Sequence, residues 1–190
     1  MADMPPKPHK KSLSYPARVL RGIAAMLDPR AWAHGLRLVN YYNYAHVIPR
    51  RSLRLGQDVR LSPNAIFSNP ERIEIGDRAS IGARCTLWAG PATGRIVIGA
   101  DALFGPEVFV TAAGYRFNDG SPVTKQAMAE ADVVIGPAAW LGARAIVMPR
   151  ARIGHGPLLG AGPVVRGGLP AGARAPGRPA PGRGPPAHPC

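Results

Sequence analysis

A large apolar residue recurs at every sixth position through most of this 190-residue chain, usually with glycine directly behind it. The longest run makes five consecutive steps of six: Ile135, Leu141, Val147, Ile153, Leu159 and Val165. Three shorter series share the spacing: Leu55, Leu61 and Phe67; Ile75, Ile81 and Leu87; Ile98, Phe104 and Val110. A period of six fits neither a helix, with about 3.6, nor an alternating strand, with about 2. It predicts a parallel β-helix of hexapeptide repeats, in which the chain turns a corner every six residues.

In several hexads a small side chain follows the apolar residue four positions later: Ala79, Cys85, Ala102, Ala139, Ala145 and Ala151. A narrow triangular interior would be overpacked by large residues at every inward site. The glycine after the apolar residue suits a tight bend and lets stacked coils approach closely. Fifteen such hexads, at three per coil, predict about five coils.

Several stretches carry a resemblance to a known family: Arg72–Gly76, Ile98-Gly99, Val133–Gly136, Trp140–Ala143, Ile153-Gly154, Leu169–Ala173 and Gly177–Ala180. They resemble the hexapeptide-repeat acyltransferases, especially bacterial sugar O-acetyltransferases of surface-polysaccharide synthesis. The resemblance implies an all-β, left-handed parallel β-helix and a homotrimer with three equivalent clefts between subunits. It also implies acetyl-CoA as the acyl donor and a sugar or glycan acceptor.

The chain divides into four predicted regions. Residues 1–15 form a basic leader and residues 181–190 a Pro/Gly tail, both expected to be disordered. Residues 16–50 form a helical segment, and residues 51–180 form the β-helix domain, which a loop at 111–134 interrupts. Pro157 and Pro163 predict an imperfect last coil, because proline removes a backbone donor.

The N-terminal segment predicts two short helices. Val19, Ile23, Met26 and Leu27 share one side of the first, and Asp28-Pro29 predicts an N-cap that opens the second. Basic residues flank the apolar faces, so two roles stay open: contact with a membrane surface, or packing against the open end of the β-helix. With no apolar run of about 20 residues and no signal-peptide pattern, a cytoplasmic location is expected.

The net charge of +13 raises the question of nucleic-acid binding. Only four of the 24 basic residues are lysine, and the arginines are scattered through an Ala/Gly/Pro-rich chain instead of clustering on one element. A solvated basic surface is therefore expected, with no nucleic-acid partner.

The loop at 111–134 is the predicted active-site segment, since a long break in a regular solenoid usually has a function. In the resembled family a histidine here removes the proton from the acceptor hydroxyl. The matching positions are Gly114-Tyr115, and the loop contains no histidine. Asp119 or Glu107 is the predicted base, with Tyr115 and Asn118 orienting the acceptor. A site without chemistry, which only binds, is the alternative.

The resemblance also implies coenzyme contacts in the C-terminal coils. The matching positions are Trp140, Gly142, Ala143, Gly160 and Ala161, where backbone amides would hold the pantetheine arm. Trp140 could equally pack between subunits. Arg166 and Arg178 are candidates for the coenzyme phosphates, against the plainer interpretation of solvated surface arginines.

No metal site is expected, because the zinc-bearing γ-class carbonic anhydrases of this fold need three histidine ligands that the loop positions lack. The sequence thus predicts an acetyl-CoA-dependent O-acetyltransferase acting on a sugar or surface-polysaccharide precursor. A catalytically inactive hexapeptide-repeat scaffold in a polysaccharide-synthesis complex is the alternative.

Overall fold

The computed structural model describes residues 14–117 and 120–177. The predicted leader up to residue 13, the tail at 181–190, and Asn118, Asp119 and Arg178 lie outside the described residues. The chain separates into two compact units, residues 1–42 and residues 43–190. The described part of the first unit is helical, and the second consists mainly of parallel β-strands.

The first unit is a pair of helices, α1 (Tyr15–Leu27) and α2 (Pro29–Tyr42). The Asp28 carboxylate accepts a hydrogen bond of 2.8 Å from the backbone N–H of Arg30. This bond satisfies one of the unpaired donors at the start of α2, as the Asp28-Pro29 pair predicts. In the part of the chain that the structure describes, no helix is long and apolar enough to cross a membrane.

The second unit begins with a π-helical turn (Asn43–Val47) and a 3-10 helix (Pro49–Ser52), followed by the β-helix. Its parallel strands stack into three faces. The first face contains β1 (Arg54–Leu55), β4 (Ile73–Ile75), β7 (Ile96–Ile98), β12 (Val133–Ile135), β15 (Arg152–Ile153) and β18 (Gly168–Leu169). The second contains β2 (Arg60–Leu61), β5 (Ser80–Ile81), β8 (Leu103–Phe104), β13 (Trp140–Leu141), β16 (Leu158–Leu159) and β19 (Arg174–Ala175). The third contains β3 (Ile66–Ser68), β6 (Thr86–Trp88), β9 (Phe109–Thr111), β14 (Ile146–Val147) and β17 (Val164–Val165).

Six rungs on two faces make six coils where the sequence predicts about five. The difference is the last coil, in which Leu169 and Ala175 pack against the core although the spacing of six is broken before Leu169. We number the corners by the face that the chain has just left: the turns after the strands of the first face form the first corner, and those after the second and third faces form the second and third corners. Two further 3-10 turns, Pro70–Arg72 and Val123–Lys125, lie at the third corner.

Apart from Leu55, which is 44 % exposed on the edge strand β1, the predicted inward residues form or pack against one continuous core. Ile75, Leu87, Phe104 and Leu141 are at most 2 % exposed. The small residues of the hexads, such as Ala145, are buried with them. Alternation of large and small inward side chains therefore fills the narrow interior, as the sequence predicts.

The glycines behind the inward residues are required by the stacking of coils. A Cβ on Gly136 would lie 2.2 Å from the carbonyl oxygen of Gly154, and one on Gly142 would lie 2.4 Å from that of Gly160. These distances are too short for any side chain. Backbone therefore packs directly on backbone at the first and second corners.

Candidate functional site

The break in the hexapeptide pattern folds back on itself at the third corner. Strand β10 (Ala113–Tyr115) pairs antiparallel with β11 (Met128–Glu130), with Ala113 opposite Glu130 and Tyr115 opposite Met128. In the connection between the two strands, the Gln126 side chain donates a 2.7 Å hydrogen bond to the Ser121 carbonyl. The predicted active-site loop is thus a hairpin that projects from one corner of the β-helix.

The base of the hairpin is held by the Glu130 carboxylate. It accepts hydrogen bonds from the backbone N–H groups of Gly94 (2.7 Å), Thr93 (2.6 Å) and Ala92 (3.1 Å), one coil below. The Thr93 hydroxyl adds a fourth bond at 3.2 Å. The amides of Gly94 and Thr93 lower the pKa of Glu130, because they stabilise its charged form. Glu130 therefore fixes the position at which the hairpin leaves the three-sided β-helix, called the prism from here on.

We expect Glu130→Gln to loosen the hairpin at neutral pH, and we expect its difference from wild type to shrink as the pH falls below the ordinary glutamate pKa. The folded-state pKa of Glu130 lies below that of the unfolded chain, so its contribution is complete above the ordinary glutamate pKa of about 4.3. That contribution is lost as the pH falls from there through the folded pKa. Hydrogen exchange of residues 112–131 at pH 7 and pH 3 measures the effect, with Glu74→Gln, an exposed carboxylate on β4, as the control. Equal protection in Glu130→Gln and wild type at pH 7 would contradict it.

Tyr115 lies at the end of β10 and is half exposed. Its ring centroid is 6.5 Å from that of Trp88 on β6, with the two planes tilted by 54°. Phe117 is 76 % exposed further along the loop. The structure thus places an aromatic surface at the position where the resemblance puts acceptor binding.

Glu107 lies at the second corner, at the other end of β9 from the loop. Arg84 and Arg144 form ion pairs with its two carboxylate oxygens. Both guanidinium groups lower the pKa of Glu107, and Arg144 has the larger effect. A carboxylate stabilised in this way is a weaker base. The structure does not bring Glu107 and Tyr115 of the same chain together.

The second corner carries a groove of about 450 Å³, lined by Arg84, Pro106, Glu107, Ala143, Arg144, Ala161 and Gly162. Two of these, Ala143 and Ala161, are predicted coenzyme-binding positions. The exposed arginines give the groove a positive edge suited to an anionic ligand.

The four predicted amides differ in their availability. Gly142 donates its N–H to the Leu159 carbonyl and Gly160 donates to Ala175, each at 2.8 Å. These amides belong to the ladder and cannot hold a ligand. Within the described residues, the N–H groups of Ala143 and Ala161 donate to no backbone carbonyl. Of the four predicted amides, only those of Ala143 and Ala161 therefore remain as candidate donors to a coenzyme.

The other predicted coenzyme residues are spread around the prism. Trp140 is 47 % exposed on the second face, in register between Leu103 and Leu158. This outward apolar row suits packing against another surface. Arg166 is exposed at the third corner, away from the groove. Across residues 14–117 and 120–177, no three His, Cys, Asp or Glu side chains form a possible metal site.

Sequence reasoning missed the ladder of polar and charged side chains along the second corner. Asn64, Arg84, Glu107 and Arg144 each stand three positions after an inward residue. The Asn64 side chain accepts a hydrogen bond from the Arg84 N–H at 3.0 Å, which links the first and second coils. The signal was available, because residues at this hexad position stack on one another in every coil. The backbone of Arg84, Glu107 and Arg144 has positive φ, as does that of Asp58, Arg78 and Asp101 at the first corner.

Comparison with known proteins gives relatives of one kind. No family model matches the chain. The protein named probable acetyltransferase Rv3034c, from Mycobacterium tuberculosis, is 30% identical over 156 residues, or 71% of this chain and 50% of that protein. WbbJ of Escherichia coli K12 is 34% identical over 83 residues, or 40% of this chain and 42% of that protein. That protein is named as an O-acetyl transferase of lipopolysaccharide biosynthesis, and its name marks the assignment as provisional. The chain spans half or less of the length of these relatives.

Solved structures share the fold. The hexapeptide-repeat-containing acetyltransferase VCA0836 of Vibrio cholerae superimposes with a TM-score of 0.61 at 20% identity, covering 85% of this chain and 87% of that one. The same protein has been solved with acetyl-CoA, and matches with a TM-score of 0.59. AntD, an N-acyltransferase from Bacillus cereus, was solved as a variant with dTDP-4-amino-4,6-dideoxyglucose and coenzyme A. It matches with a TM-score of 0.53 at 22% identity, covering 65% of this chain and 78% of that one. The resemblance to hexapeptide-repeat acyltransferases is thereby confirmed.

Proposed function

We propose that the chain is an acyltransferase that moves an acetyl group from acetyl-CoA to a hydroxyl of a sugar or surface-polysaccharide precursor in the cytoplasm. The sequence similarity to proteins named as acetyltransferases supports the reaction class. The fold it shares with structures solved with acetyl-CoA or coenzyme A supports the donor.

The observation that carries the proposal is the pair of unused amides in the second-corner groove. Ala143 and Ala161 occupy the same position in successive coils, so their N–H groups stand about 4.8 Å apart along the prism. An extended ligand with carbonyl groups, such as a pantetheine arm, could accept from both. Arg84 and Arg144 at the groove edge retain guanidinium donors for its phosphates.

The loop supplies the chemistry in this proposal. A base takes the proton of the acceptor hydroxyl while its oxygen attacks the thioester carbonyl carbon. The tetrahedral intermediate then expels the coenzyme A thiolate, leaving an acetyl ester on the acceptor. We assign Asp119 as the base and Tyr115 and Asn118 as the groups that orient the acceptor. Asn118 and Asp119 lie outside the described residues.

A site made of both parts needs a second copy of the chain. The groove lies at the second corner and the hairpin at the third, at opposite ends of β9. In a homotrimer, the hairpin of one subunit would face the groove of its neighbour. The outward row of Leu103, Trp140 and Leu158 on the second face, in which Leu103 and Trp140 are each 47 % exposed, suits such packing.

Acceptor-dependent release of thiol from acetyl-CoA distinguishes the enzyme from a scaffold. The full-length protein is incubated with acetyl-CoA and a panel of nucleotide-activated sugars, amino sugars and polysaccharide fragments. An enzyme releases thiol faster with one acceptor than without it. A scaffold leaves the thioester intact with every acceptor while the protein stays folded.

We expect Ala143→Pro combined with Ala161→Pro to weaken acetyl-CoA binding about 30-fold, since each lost hydrogen bond contributes about 1 kcal/mol. Proline removes only the N–H at these sites, and Pro63, Pro106 and Pro137 occupy the equivalent position in other hexads. Calorimetric titration measures Kd. Ala100→Pro, at the same hexad position on the first corner, is the matched control and should leave Kd unchanged. An unchanged Kd in the double variant would contradict the assigned amides.

A further inference from the structure

One side of helix α1 is continuously apolar, and its large side chains are exposed. Val19, Ile23 and Met26 follow one another at spacings of four and three, with Leu20 and Leu27 beside them, so they share one side. Leu20 and Leu27 are at least 70 % exposed. Arg18 and Arg21 lie on the other side, among alanines.

Helix α2 repeats this arrangement. Trp32, Leu36 and Val39 form a stripe at spacings of four and three, and all three are exposed. Arg30 and Arg37 lie on the opposite side. The Trp32 indole N–H donates to the Met26 carbonyl at 2.7 Å, which ties the start of α2 to the end of α1. Neither helix contains a buried residue.

Positive charge is concentrated in this part of the chain. Residues 1–54 contain ten of the 24 basic residues and two of the 11 acidic ones, for a net charge of +8. The carboxylate of Asp28, the one acid within residues 15–42, is occupied by the α2 cap. Aromatic side chains are also frequent, with Tyr15, Trp32, Tyr41, Tyr42 and Tyr44 in or beside the helices. This composition is typical of helices that lie in the interface of a membrane.

We propose that α1 and α2 bind the surface of an anionic lipid bilayer, with their apolar sides in the acyl boundary and their arginines among the headgroups. Charge decides between the occupants of these faces. A second copy carries the same net positive charge and few acidic groups to neutralise it, whereas an anionic bilayer offers an apolar layer and neutralising phosphates in one surface. The proposal stands independently of the acyltransferase activity, because it uses no residue of the groove or the hairpin.

Flotation of the full-length protein with vesicles tests the proposal. We expect binding to vesicles of phosphatidylcholine with 30 mol% phosphatidylglycerol, and little binding to phosphatidylcholine alone. Arg18→Ala with Arg21→Ala should weaken binding about 30-fold, since each basic residue near the surface contributes about 1 kcal/mol. Trp32→Ser with Leu36→Ser should weaken it as well, through loss of the apolar contact. Arg152→Ala with Arg174→Ala, exposed on the prism, removes the same charge and should bind like wild type.

Three results would overturn the proposal. Equal loss in the helix and prism arginine variants would reduce it to a general charge effect. Absence of binding to anionic vesicles by the folded protein would exclude the bilayer. A smaller oligomer on light scattering of Trp32→Ser with Leu36→Ser, with vesicle binding unchanged, would assign the apolar faces to a second copy.

Discussion

Asp119→Asn is expected to lower kcat for acetyl transfer by about 100-fold or more, because a positioned general base contributes about 100- to 10,000-fold. The amide of asparagine has nearly the shape of the carboxylate but cannot accept the hydroxyl proton. KM for acetyl-CoA should change little, since the groove assigned to the coenzyme is lined by other residues. Steady-state kinetics with saturating acceptor measures both constants.

Glu107→Gln is the comparison that gives this result its meaning. Glu107 is the other predicted base, but its ion pairs with Arg84 and Arg144 hold its pKa below the ordinary range. We expect Glu107→Gln to change kcat less than about threefold and to act on KM, because the side chain lines the groove. A large loss of kcat in Glu107→Gln with none in Asp119→Asn would reverse the assignment of the base.

Gly136→Ala is expected to destabilise the folded chain by about 2 to 3 kcal/mol. The new Cβ would lie 2.2 Å from the Gly154 carbonyl oxygen, and that oxygen belongs to the backbone of the next coil. Relief would require two coils to separate, which would stretch the hydrogen bond of 2.8 Å from Gly136 N–H to the Ile153 carbonyl. The urea midpoint at a fixed protein concentration measures the loss.

Gly114→Ala is the matched control for this substitution. It makes the same chemical change on β10, where a Cβ would meet no atom within 4 Å. Its effect should stay within about 0.5 kcal/mol. Equal midpoints for Gly136→Ala and wild type would show that the coils are not stacked as closely as the structure has them.

The β-helix could be predicted from the sequence because each hexad repeats one local geometry. Ile135, Leu141 and Val147 point inward from one face each. The corresponding residues of the next coil pair with them in register. The last coil was missed because only Leu169 and Ala175 mark it. Pro157 and Pro163 predicted an imperfect coil, yet their carbonyls accept ladder bonds from Trp140 and Ile146 at 2.9 and 2.8 Å. At the position of Pro163 the preceding coil has Ala145, whose N–H makes only a corner bond to Gly142.

The contacts of the candidate site were harder to predict than the fold, because they join residues from different coils and corners. Nothing in the loop's periodicity shows that Glu130 reaches back to the amides of residues 92–94. Glu107 precedes Tyr115 by only eight positions, but β9 lies between them and places them at different corners. The amides of Gly142 and Gly160 could not be distinguished from those of Ala143 and Ala161 until the ladder bonds were known.

The proposed function depends on binding of acetyl-CoA in the groove at the second corner. Calorimetric titration of the full-length protein with acetyl-CoA and with coenzyme A measures this binding. We expect saturable binding of one acetyl-CoA per chain. Absence of binding by a folded oligomer would contradict it and favour the scaffold.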